Sequence, residues 1–118
     1  MSNAEMENEA MKDATELMQS AMAEAAEEAS VCLRALSNPS RLLLLCHMVD
    51  GQKSVGELEK ALELGQAYVS QQLARLRTEG LVVAERDGRI VRYSIADERI
   101  VPLLQVLYEQ FCAPMIED

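Results

Sequence analysis

The sequence predicts a mainly α-helical fold carrying one β-hairpin, and three observations support that prediction. Long stretches poor in Gly and Pro repeat apolar residues at helical spacing. A capping box and a Gly-terminated segment bracket two short helices, and residues 81–96 switch to strand periodicity around Asp87-Gly88. At 118 residues and 13.1 kDa the chain has the size of one domain, which excludes a two-domain enzyme. With no Trp, one Phe and three Tyr, its core must come from Leu, Val, Ile, Met and Ala.

Taken in order, residues 5–36 form an Ala/Glu/Met-rich run without Gly or Pro, which favours helix. Ala14, Leu17, Met18, Ala21, Met22, Ala25 and Ala29 fall near one face. A stripe of small residues and Met fits helix-to-helix packing, including packing across a dimer, better than an active site. Residues 1–12 are expected to be a disordered extension, and residues 13–118 the domain proper. Ser37-Asn38-Pro39 ends the first helix and starts a second that runs to about Val49, because Asn or Ser caps and Pro suits a first turn. Asp50 to Lys53 reads as a turn. Ser54 and Glu57 form a capping box for a third helix, Val55 to Glu63. Leu64-Gly65 breaks the pattern, and Gln66 to Thr78 resumes it with Val69, Leu73 and Leu76 inward, ending at Gly80.

Val91, Tyr93 and Ile95 then alternate with Arg92 and Ser94 on the second arm of the hairpin, whose Asp-Gly supplies the positive φ that a tight primed turn needs. From Asp97, read as a cap, the residues Ile100, Val101, Leu103, Leu104, Leu107, Tyr108 and Phe111 mark a last helix, with Pro102 in its first turns.

Charge and cysteine content narrow the function. No window holds the roughly 18 uninterrupted apolar residues of a membrane span, and the acidic N-terminus is unlike a signal peptide, so the expected location is cytoplasmic. The three cysteines, Cys32, Cys46 and Cys112, are odd in number and form no CxxC, so reduced thiols are expected. The net charge of −9 is unevenly spread. Residues 1–30 carry eight acids against one Lys, whereas residues 66–96 carry five Arg against three acids. One local stretch can therefore meet an anion. Cys46 beside His47 does not make a nucleophile and base, because helical neighbours point about 100° apart. No Gly-rich oxyanion loop accompanies them, and no enzyme activity or cofactor is expected.

Short helix, Gly-containing turn, polar-surfaced helix and Arg-tipped hairpin, in that order, form the layout of a winged helix-turn-helix. In that layout the second helix enters the major groove of double-stranded DNA. Gln66, Ala67, Tyr68, Ser70, Gln71 and Arg75 fall on its outward side. Gln and Ser can hydrogen-bond base edges, while Arg75, Arg77, Arg86 and Arg89 suit phosphates or the minor groove. Tyr68 could instead pack sideways.

The runs Leu36-Ser37-Asn38-Pro39-Ser40-Arg41-Leu42, Ser54-Val55-Gly56-Glu57-Leu58, Val69-Ser70-Gln71-Gln72-Leu73-Ala74-Arg75-Leu76-Arg77 and Gly80-Leu81-Val82 through Gly88-Arg89 to Tyr93 resemble the ArsR/SmtB family of bacterial repressors. The resemblance covers residues 30–113. It implies a homodimeric winged-helix repressor whose first and last helices form the dimer interface and whose partner is an operator.

Metal-sensing members need a Cys pair near the third helix or Asp, His and Glu sets on the last one. Here the first segment reads Ser54-Val55-Gly56-Glu57-Leu58 and the last helix has no His, so no metal site is assigned. Cys46 in the second helix and Cys112 in the last resemble the pair of the subgroup that includes BigR, SqrR and HlyU. There the resemblance implies sensing of persulfides, reactive sulfur or oxidants through a bridge between the two. Cys32 is expected to be a packing residue. The alternative reading is a metal-responsive or ligand-independent winged-helix regulator, or an antirepressor acting through a protein partner.

Overall fold

The computed structural model describes residues 2–116, so the final two residues of the domain expected over 13–118 lie outside it. The elements follow in the order α1 (Asn3–Leu36), α2 (Pro39–His47), β1 (Lys53–Ser54), α3 (Val55–Leu62), α4 (Gln66–Thr78), β2 (Val82–Asp87), β3 (Ile90–Ile95) and α5 (Ile100–Leu107). A π-helical turn, Tyr108–Cys112, and α6 (Ala113–Ile116) complete the chain. The chain divides into two units, residues 1–33 and 34–118.

The first unit is the long helix alone. Residues 3–12, set apart in the sequence as a disordered extension, are the opening turns of α1, where Ala, Glu and Met are strong helix formers and nothing interrupts them. Met6, Met11, Leu17, Met18 and Met22 are exposed along it.

In the second unit an aliphatic core gathers around α4. Leu44, Leu45, Leu58, Val69, Leu73, Leu76 and Ile100 are fully buried, with Leu81, Val82 and Leu104 close behind. Aromatic residues take no part in it, as the composition requires; Phe111 is 71% exposed. α4 packs against α2, α3 and β2, while β1 and β2 pair antiparallel with β3 in the order β1-β3-β2. The strand β1 falls where the sequence reads as a turn. A two-residue strand has no periodicity of its own, and pairing of Lys53 with Tyr93 and Ser54 with Arg92 creates it.

The helix ends follow capping chemistry. Asn38 Oδ1 accepts the Arg41 N–H at 3.1 Å ahead of Pro39. Ser54 Oγ accepts from the Glu57 N–H at 3.1 Å, and the Glu57 carboxylate accepts from the Ser54 N–H at 3.5 Å, which is the expected capping box. After α4, Gly80 at φ +78° allows the Leu81 N–H to reach the Leu76 carbonyl and its own N–H to reach that of Arg77. That is a Schellman stop with Leu76 and Leu81 both buried.

Three boundaries differ from expectation. α3 ends at Leu62 through Glu63, the one non-Gly residue with positive φ (54°) among those described, and not through Gly65. The hairpin pairs Asp87 with Ile90, so its two loop residues are Gly88-Arg89, one position later than Asp-Gly. Positive φ (64°) at Gly88 alone is the pattern of a type II′ turn. Asp97 closes the turn before α5, accepting from the Arg99 N–H at 3.1 Å and gripping its guanidinium at 2.8 Å, and α5 starts only at Ile100.

A side chain in the left-handed region costs about 1 kcal/mol that Gly does not incur. Glu63→Gly therefore raises the unfolding free energy by about 1 kcal/mol, less the added entropy of the unfolded chain. Thermal denaturation read by circular dichroism checks this, and a lower melting temperature contradicts it.

Candidate functional site

α4 presents two unlike faces. Val69, Gln72, Leu73 and Leu76 are buried, and helical periodicity then sets Ala67, Gln71 and Ala74 along the outward midline, with Arg75 toward the Tyr68 edge. Gln66, Ser70 and Arg77 form one edge of that face and Tyr68 lies on the other. All are exposed except half-buried Ser70. Gly65 enters the helix without a side-chain cap, which leaves the first N–H groups of α4 available beside Gln66 and Ala67. Positive side chains continue on the hairpin, where Arg86 and Arg89 are exposed and, like Arg75 and Arg77, engage no acidic partner among the described residues. Arg92 differs, because its Nη1 lies 3.3 Å from Asp87 Oδ2, across the β3 register from the turn.

Three residues that sequence reasoning left without a role hold this face in place. Arg41, on α2, donates from Nε to the Ala35 carbonyl at 3.0 Å and from Nη2 to the Arg34 carbonyl at 3.2 Å. Its Nη1 donates to Oε1 of the buried Gln72 at 3.2 Å. One guanidinium thus joins the end of α1, the start of α2 and the inner face of α4. Tyr68 donates its hydroxyl to Ser40 Oγ at 3.1 Å, so its ring leans toward α2. The sideways alternative for Tyr68 is the one adopted. The signals were available, since Arg41 stands inside the Asn-Pro-Ser-Arg run and Gln72 interrupts an apolar stripe, but neither names its partner.

A second feature lies between α2 and the end of the α5 segment. Cys46 and Cys112 are both free thiols at the surface. Burial raises the Cys46 pKa above the usual thiol value, and the nearby Cys112 thiolate raises it further. The charge of Cys112 is thus felt at Cys46 across 66 positions of sequence. Beside Cys46 opens a cavity of about 440 Å³ lined by Cys46, Val49, Leu104, Gln105, Tyr108 and Glu109.

The π turn bears on this arrangement because it ends at Cys112, with the Ala113 N–H bonded to the Tyr108 carbonyl five residues back. The sequence reads as one continuous helix here. Pro114 explains the departure: it lacks an N–H, and in a regular helix its ring would press on the carbonyl four residues earlier. Cys32 lies half-buried on α1, and among the described residues no group of three His, Cys, Asp or Glu side chains is arranged to hold a metal ion.

Two measurements test these assignments. Arg41→Ala strips the partner from buried Gln72 and from two carbonyls, at a cost of about 1–3 kcal/mol, and the chemical-denaturation midpoint should fall accordingly. An unchanged midpoint would remove Arg41 from its place as the joint. For the thiols, the raised pKa leaves less thiolate on Cys46 near neutral pH than an ordinary cysteine carries. Cys112→Ser removes the charge contribution but not burial, so the pH profile of Cys46 alkylation should move down yet stay above that of a free thiol.

Comparison with known proteins agrees with the geometry. The model of the bacterial regulatory protein, arsR family, matches residues 38–83, from the cap of α2 to the start of β2. The biofilm growth-associated repressor of Agrobacterium fabrum is 39% identical over 102 residues, covering 86% of this chain and 87% of that protein. The crystal structure of the transcriptional repressor BigR from Xylella fastidiosa superposes with a TM-score of 0.75 at 39% identity, covering 80% of this chain and 97% of that one. A homodimeric winged helix-turn-helix DNA-binding domain from Mycobacterium bovis, solved by NMR, gives a TM-score of 0.68 at 25% identity over 82% of this chain and 90% of that one. With its cap-to-wing segment matched and most of its length aligned to repressors, this chain belongs to the ArsR family of winged helix-turn-helix transcriptional regulators.

Proposed function

We propose that this regulator is a homodimeric repressor whose grip on operator DNA is switched by a covalent link between Cys46 and Cys112, formed by persulfides or related reactive sulfur. The observation that carries the reading is that Cys112, on a different element, is near enough to raise the Cys46 pKa, with an open cavity beside Cys46.

The DNA side of the proposal rests on the outward face of α4. Gln71, Ser70 and Gln66 are the base-reading side chains, and the backbone at Ala67 approaches a phosphate. Arg75, Arg77, Arg86 and Arg89 supply phosphate and minor-groove contacts. Tyr68 braces α4 on Ser40 and adds its ring edge. Dimerisation is supported by the apolar side chains that α1 and, separately, the α5 segment leave in solvent, among them Leu103, Val106, Phe111 and Met115.

The chemistry balances without a cofactor. One cysteine thiolate attacks the sulfane sulfur of a persulfide RSSH, the S–S bond breaks, and RS⁻ leaves, so that a protein persulfide remains. The other thiolate attacks the cysteine sulfur of that persulfide and expels HS⁻, which leaves a disulfide. The two cysteines lose two electrons and the sulfane sulfur gains them. If both cysteines carry a persulfide, attack of one on the other releases HS⁻ and leaves a trisulfide, which spans a wider gap. Such a link ties α2 to the π turn. A dimer whose recognition helices must meet half-sites about one helical turn apart loses affinity when that spacing shifts.

The test is operator binding and intact mass on the same samples. Reduced protein exposed to glutathione persulfide should show a Cys46–Cys112 crosslink together with an operator affinity at least tenfold weaker. Cys112→Ser should bind DNA as tightly as before and ignore the persulfide. A variant that still responds fully would exclude this pair as the switch, while a crosslink without loss of affinity would separate the chemistry from the regulation.

A further inference from the structure

The cavity beside Cys46 is larger than reactive sulfur itself requires. A water molecule takes about 30 Å³ of liquid, and hydrosulfide or peroxide is not much bigger, whereas this space is about 440 Å³. Its size suits a whole low-molecular-weight thiol carrier. The walls indicate which kind. Val49, Leu104 and the Tyr108 ring are apolar, Gln105 offers an amide, and Glu109 brings the only formal charge among the described lining residues besides any thiolate on Cys46. Among the described residues no basic side chain lines it, so a carboxylate on the carrier would find no counter-charge, whereas an ammonium would find Glu109.

We propose that this cavity is a recognition site for the organic part of a small sulfur donor, and that Glu109 selects amine-bearing carriers over carboxylate-bearing ones. The inference rests on the thiol-switch reading and adds substrate choice to it. The carrier enters as RS–S–X, with R in the cavity and a sulfur presented to Cys46 and Cys112. Attack by a cysteine thiolate forms the new S–S bond and breaks the old one, and the displaced thiolate leaves. Closure by the second cysteine expels the remaining group, so two cysteines are oxidised by two electrons and one carrier S–S bond is reduced. Glu109 takes no part in bond making. It is a specificity residue that acts through charge.

Symmetrical disulfides differing in charge provide the probe: cystamine, bis(2-hydroxyethyl) disulfide and 3,3′-dithiodipropionate. At low ionic strength, a carboxylate about 5 Å away changes the rate by about fourfold per unit charge. The first adduct at Cys46 or Cys112, followed by peptide mass, should therefore form on the order of tenfold faster with cystamine than with the dianion, the neutral reagent falling between. The spread should narrow as salt is added. Cys32 in the same sample reports the general effect of the protein's negative charge, and its spread should be smaller.

Glu109→Gln should collapse the spread at the pair to that of Cys32, while Glu98→Gln, outside the cavity, should leave it. A spread unchanged by Glu109→Gln, or equal at all three cysteines, overturns the assignment. If all three disulfides bridge Cys46 to Cys112 at one rate and weaken operator binding, the switch stands and the selectivity falls. If adducts form with the expected order but operator binding never changes, the selectivity stands and the switch falls.

Discussion

The guanidinium of Arg41 is the joint on which the placement of α4 depends. A single planar cation with several fixed N–H groups can answer acceptors in different directions at once, and here it meets two carbonyls at the end of α1 and the amide oxygen of Gln72 inside α4. Lys could satisfy one of these acceptors but could not hold all three in one plane. Because Gln72 lies on the inward face of the helix whose outward face carries Gln71 and Arg75, any displacement of Arg41 is passed directly to that outward face. Tyr68 and Ser40 make a second, weaker tie between the same two helices. α4 is thus held from α2 by polar bonds as well as by the aliphatic core, and polar bonds have direction where aliphatic packing has little.

That arrangement would make α2 an effective place for the proposed switch. Arg41 lies near its start and Cys46 near its end, separated by little more than one turn of rigid helix. A pull on the sulfur at one end of so short a rod must turn up at the guanidinium on the other. The π turn completes the logic from the opposite side. Widening the helix by one residue before Pro114 changes the direction in which Cys112 is presented, and a wide turn is held by fewer favourable contacts than a regular one, so it yields more readily.

Much of this was legible in the sequence because the signals were local. The capping box at Ser54 and Glu57, Asn38-Pro39, the Gly80 stop and the alternation from Ile90 to Ile95 each depend on neighbours within a few residues, and each appears where expected. What escaped was set by partners far along the chain. β1 exists only because β3 lies beside it, Arg41 finds Gln72 31 positions away, and Tyr68 turns to a serine on another helix. The slip of the hairpin turn by one residue has a similar origin, since pairing along β2 and β3 decides which two residues are left over. At the candidate site the residue types were readable and their surroundings were not. Cys46 and Cys112 could be matched to a known pair, but the cavity between Val49 and Tyr108 arises from packing that no motif encodes.

The scarcity of aromatic residues has a spectroscopic consequence. With no Trp, ultraviolet emission comes from three tyrosines, and the fold distributes them one to each working part. Tyr68 stands on the recognition helix, Tyr93 in the middle strand of the wing, and Tyr108 on the wall of the thiol cavity. The first is bonded to a serine hydroxyl, the second is half-buried, and the third is 53% exposed beside a sulfur. Their environments differ in hydrogen bonding and exposure. The chain therefore carries its own optical labels for α4, the hairpin and the cavity beside Cys46, with no dye attached and no residue replaced.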